Sequence, residues 1–81
     1  MANKVQKTLE QMEVGETGRI LALNMVNKET CHRMLDIGIA PNAEVEVIHT
    51  LYGKALFIID VDDVEVCIRR EAARYITVSV G

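Results

Sequence analysis

The stretch Arg33-Met34-Leu35-Asp36-Ile37-Gly38-Ile39-Ala40-Pro41-Asn42-Ala43, followed at once by Glu44-Val45-Glu46-Val47, limits the fold more than any other part of the chain. It reads as the end of a short helix, a glycine turn, a proline-braced corner and a strand. Asn27 is suited to cap a helix over 28–36. Cys31, Met34 and Leu35 fall at i, i+3 and i+4 and form its expected buried stripe. Glu29 and Arg33 stand four residues apart in the favourable order for an ion pair. Gly38 adopts the left-handed conformation that closes a helix at little cost. Pro41 stops the helix and fixes the approach to the next strand. A helix leaving through such a corner predicts a small β-barrel with one helix between its first two strands.

The rest of the chain fits that plan. Residues 1–7 are expected to be a flexible N-terminus, with one domain over 8–81. Thr8-Leu9-Glu10-Gln11 has capping-box spacing and predicts a helical turn over 8–12. A strand follows over about 18–24. Further strands are expected over 44–51, 55–61, 64–68 and 76–80. The first hairpin closes across Tyr52-Gly53 and the second across Asp62-Asp63, residue types that tolerate positive φ. Strand 44–51 alternates imperfectly, because Ile48 falls in phase with Glu44 and Glu46, which predicts a bulge or a sharp bend. Arg70-Glu71-Ala72-Ala73-Arg74 reads as a helical turn before the last strand. The fold class is therefore mainly β: an SH3-like barrel of about five strands, with helical turns near both ends.

Eighty-one residues make one domain with a small core. Apolar residues are 49% of the chain, a generous share for such a body, so some must remain outside as a candidate docking patch. The net charge of −3 argues against nucleic acid as a partner. The basic cluster Arg69, Arg70 and Arg74 reads as a solvated helix start. The sequence has no run of apolar residues long enough for a membrane span and no secretory leader pattern, so the expected location is cytoplasmic, with Cys31 and Cys67 reduced.

Three segments in order resemble the FeoA family, small cytosolic proteins of bacterial ferrous iron transport. Thr8-Leu9 with Gly15-Glu16 and Ile20 is similar to the family's opening. Arg33 to Pro41 is similar to its central signature. Ile68-Arg69-Arg70-Glu71-Ala72-Ala73-Arg74-Tyr75-Ile76-Thr77-Val78 is similar to its closing segment. The resemblance spans about residues 8–80. One departure is Asn42, where the family usually has glycine; Asn is the next-best residue at positive φ. The resemblance implies a non-catalytic regulatory protein that acts on the cytosolic GTPase domain of FeoB-type membrane transporters. It also implies kinship with the C-terminal domain of iron-dependent repressors of the DtxR type, whose DNA-binding domains this chain has no room for.

Catalytic and ligand motifs are weak. Gly53-Lys54 lacks the first glycine and the hydroxyl residue of a P-loop, because Ile48 and Ala55 hold those places. Cys31, His32, His49 and Cys67 are the candidate metal ligands. Cys31 and His32 are helix neighbours that point about 100° apart, so they read as a core residue and a surface residue. Asp60-Val61-Asp62-Asp63-Val64-Glu65 lacks the glycine of a calcium loop. Ser79 has no base beside it. No catalytic residue, cofactor or resident metal is therefore expected.

Binding is the better prospect. With no Trp, one Phe and two Tyr, the chain is poor in the aromatics of a polyproline-binding groove. Its surplus is aliphatic and methionine-rich. The candidate partner-binding residues are Leu51, Tyr52, Met25, Met34, Ile37 and Ile39. A second possibility for Met25, Met34, Ile37 and Ile39 is that they seat the helix on the barrel. Homo-oligomerisation would use the same patch. The main expectation is an accessory protein that contacts a FeoB-type transporter without entering the membrane. The alternatives are a module that binds Fe²⁺ itself through the cysteines and histidines, and one that acts on a transcription regulator.

Overall fold

The computed structural model describes residues 4–81. Six strands form one antiparallel sheet: β1 (Val5–Thr8), β2 (Thr17–Leu23), β3 (Glu44–Leu51), β4 (Leu56–Val61), β5 (Val64–Arg69) and β6 (Ile76–Val80). Their order across the sheet is β1-β6-β2-β3-β4-β5. A 3₁₀ turn covers Leu9–Gln11, helix α1 covers Lys28–Asp36 and a short helix α2 covers Arg70–Ala73. The sheet wraps one core built around Phe57, Ile59, Val45, Val47, Ile20, Ile76 and Val78. No polar or charged residue is buried among the described residues. No helix among them is long and apolar enough to cross a membrane.

The mainly β, SH3-like plan holds, with six strands in place of about five. The added strand corrects the expectation of a flexible segment over 1–7: Val5 to Thr8 pair with Val80 to Thr77. Residues 1–3 of that segment lie outside the described residues. The sheet is not closed by hydrogen bonds between its edge strands β1 and β5. The 3₁₀ turn packs on β6 and α2, and α2 packs on β4 and β5, so the two short helical pieces link the β5 edge to the β6 side. Glu10 of the turn lies 3.9 Å from Arg70 Nε and 3.6 Å from Arg74 Nη2 of α2 and the residue after it. The expected capping box of Thr8 and Gln11 is present, with the Thr8 N–H donating to Gln11 Oε1 at 2.9 Å.

Helix α1 begins and ends where its local signals put it. The Asn27 side chain accepts from the Glu29 and Thr30 N–H groups at 2.8 and 3.2 Å. At the far end the Gly38 N–H donates to Leu35 and the Ile39 N–H to Met34, with Gly38 at φ 95°. This is the Schellman arrangement, and its usual apolar partners, Met34 and Ile39, are both in the core. Pro41 and Asn42 then occupy the two central places of a turn closed by the Ala43 N–H to the Ala40 carbonyl, with Asn42 at φ 75°. Proline second and positive φ third is the type II pattern.

The imperfect alternation of β3 is a bulge. Val47 pairs with Ile59 but His49 pairs with Ile58, so Ile48 is the extra residue. A similar shift between Ile20 and Ala22 leaves Leu21 unpaired and exposed on β2. Asp62 and Asp63 form the expected two-residue loop, at φ 49° and 70°. The other hairpin is longer than expected: Leu51 pairs with Leu56, and residues 52–55 form the loop.

Candidate functional site

A groove of about 570 Å³ runs between the entrance to α1, the α1 helix, the end of β5 and α2. Its floor and walls are largely apolar, with Met25, Val26, Met34, Ile68, Ala72 and Tyr75 among the lining residues. The topology explains how it is left open. The Asn24 N–H bonds to the Tyr75 carbonyl at 2.7 Å, which brings the end of β2 beside the start of β6. From there the chain passes into α1, of which Met34 is the only buried residue. Val26 stands at the lip with 92% of its surface exposed. The residue before an N-cap often packs back against the helix; here it faces solvent.

The groove is edged by charge of mainly one sign. Arg33 and Arg69 both line it, with Glu71 as the one carboxylate. The ion pairs among the described residues use Lys7, Lys54, Arg70 and Arg74 and leave Arg33 and Arg69 free. The expected Glu29–Arg33 pair does not form. The expected basic cluster is therefore divided: Arg70 and Arg74 share Glu10, while Arg69 faces the groove.

The groove continues onto the outside of the sheet. Leu51 pairs with Leu56, and Leu56 with Arg69; His49 pairs with Ile58, and Ile58 with Cys67. Antiparallel partners share a face. Leu51, Leu56 and Ile58 thus form an apolar stripe that meets the groove at Cys67 and Arg69. Of the six candidate contact residues, Met25 and Met34 line the groove. Leu51 is 39% exposed and lies on the stripe, and Tyr52 is 81% exposed at the hairpin tip beyond it. Ile37 is 38% exposed and lies outside the groove lining. Two corrections follow. Ile39 is fully buried, and Met34 offers a partner only its edge, because the helix needs both to hold it to the core. Leu35, expected in the buried stripe, is exposed, and Cys31 is only half-buried. Val26 belongs to the aliphatic surplus of the 25–39 segment, whereas sequence reasoning missed Arg33, Ala72 and Tyr75, which carry no local signal of their own.

The candidate metal ligands are scattered. Cys31 and His32 are on α1, and His49 and Cys67 are separated by a full strand on the outer face. Among the described residues no three His, Cys, Asp or Glu are placed to hold one metal ion. A polar recess on another part of the surface is lined by Glu44, Glu46, Asp60, Asp62 and Asp63. There Glu46 pairs with Asp60 and Asp60 with Glu65, three carboxylates side by side across three strands.

Residues 7–80 match the family model described as the FeoA domain. The chain belongs to the FeoA family. The family is linked to ferrous iron transport. A crystal structure of an iron uptake regulatory protein (FeoA) is 19% identical, with a TM-score of 0.83, and the match covers 95% of this FeoA chain and 99% of that one. FeoA of Stenotrophomonas maltophilia, described as a prokaryotic SH3 domain protein and solved with zinc, is 16% identical at a TM-score of 0.76, covering 88% and 87% of the two chains. A manganese-dependent transcriptional repressor is 18% identical at a TM-score of 0.87, over 94% of this chain and 37% of the repressor. At these identities the likeness is one of fold. No curated protein sequence matches the chain.

Proposed function

We propose that this FeoA-family chain is a non-catalytic, cytoplasmic accessory protein of bacterial ferrous iron transport. It acts by docking on the cytosolic GTPase part of a FeoB-type membrane transporter. The family match over residues 7–80 carries this reading. The groove and the Leu51–Leu56–Ile58 stripe supply an apolar surface for such contact. A partner that favours one transporter conformation shifts its equilibrium by the difference in affinity for the two states, and needs no catalysis to do so.

Titration of the purified GTPase domain of the transporter with this protein, followed by calorimetry, tests the reading. Binding by the wild type is expected. It should be lost in Tyr52→Asp and Leu51→Asp, whose exposed positions leave the melting temperature nearly unchanged. Absence of any binding by the wild type would remove the transporter as partner, and full binding by both variants would move the contact off the hairpin.

A further inference from the structure

Resting on the docking function just proposed, we infer that the groove between α1 and α2 takes a short acidic, aliphatic segment of the partner. An aliphatic side chain enters against Met25, Met34 and Ala72, and a carboxylate meets the arginine rim. The shape and the charge of the site both support this. The floor is apolar and its volume, about 570 Å³, falls within the usual range for sites that enclose a small ligand or a few side chains. The lining carries two arginines against one glutamate. Neither arginine is in an ion pair among the described residues, although this chain has more acidic than basic residues and Arg70 and Arg74 do have a carboxylate partner. Arginines left free beside an apolar floor suit recognition of a carboxylate, because the guanidinium is weakly hydrated and binds carboxylates in a two-pronged geometry. The lip residue Val26 adds apolar surface that folding leaves uncovered. A basic or wholly polar segment would leave the arginines opposed or the floor wet.

The test uses fluorescence anisotropy with three short labelled peptides, one of Glu and Leu, one of Lys and Leu, and one of Glu and Ser. The Glu/Leu peptide should bind and the other two should not. Rising salt should weaken the Glu/Leu complex, and Arg33→Glu with Arg69→Glu should weaken it roughly tenfold or more. Thermal melts of the double variant establish that it folds, and Ala72→Gln, which fills the groove without altering charge, should also reduce binding. Equal binding of the Lys/Leu or Glu/Ser peptide, no binding of Glu/Leu, or no effect of the double variant would overturn the inference. So would concentration-dependent self-association in sedimentation that Val64→Ser on the acidic β4–β5 hairpin removes, since a second copy would then be the occupant. The two readings fail separately. Capture of the GTPase domain by the double variant at wild-type strength rejects the groove and leaves the transporter as partner. Selective Glu/Leu binding without capture of the GTPase domain leaves the groove and rejects that transporter.

Discussion

A side chain at Gly18 has nowhere to go: an added Cβ would lie 2.6 Å from Val78 Cγ1 and 2.7 Å from the Ser79 carbonyl oxygen. Gly18 sits mid-sheet, paired with Val45 on one side and Val80 on the other. Gly18→Ala should therefore destabilise the fold by about 1–3 kcal/mol, the usual cost of forcing extra volume into a packed site, and urea unfolding measures it. Glu16 makes a prediction about pH. Its carboxylate accepts from the Glu13 N–H at 2.8 Å and from Lys7 Nζ at 3.0 Å. The backbone bond first, and the lysine second, hold its pKa below the ordinary carboxylate value. A lowered folded pKa stabilises the protein above the unfolded value, near 4.3, and that stability drains away as pH falls through the folded one. Glu16→Gln should thus be less stable than wild type at neutral pH, with the difference shrinking in acid, as urea midpoints across that range would record. The turn residues Asn42, Asp62 and Asp63 were legible in the sequence, because positive φ is a local demand that only a few residue types meet. Gly18 was not, since the atoms it avoids come from β6 at the other end of the chain.

Helix α1 shows how far local signals reach at the scale of the element. Its span over 28–36, its Asn27 cap and its glycine stop were all readable, because each is settled within a few residues. Its burial was not, since that depends on how the corner at Pro41 aims the helix. One side chain, Met34, carries most of the attachment. Met34→Ala should cost about 2–5 kcal/mol, and hydrogen exchange should rise in α1 before it rises in β3 and β4. Strand β1 went unread for the same reason: Val5 to Thr8 gain strand structure only by pairing with β6. The opposite effect appears in β3, β4 and β5, where Glu46, Asp60 and Glu65 stand in one row. Like charges facing each other across strands destabilise a sheet. Glu46→Lys should therefore raise stability by roughly 0.2–1 kcal/mol, and the gain should fade in high salt.

At the scale of the whole molecule, the groove proposed as the contact surface is made from pieces distant in sequence. Met25, Val26 and Arg33 come from the helix insertion, Cys67 and Arg69 from β5, and Ala72 and Tyr75 from α2 and the residues after it. The sequence indicated an apolar excess and placed part of it at Leu51 and Tyr52. It gave no means to see that Leu56 and Arg69 bridge those residues to the groove, because that row exists only once β3, β4 and β5 are in register. The most direct measurement is an amide NMR titration of the ¹⁵N-labelled protein with the GTPase domain of the transporter. Shifts should gather at Met25, Val26, Arg33, Cys67, Arg69, Ala72 and Tyr75 and extend toward Leu51. An unchanged spectrum, or shifts confined to the acidic recess around Glu46 and Asp60, would contradict the account.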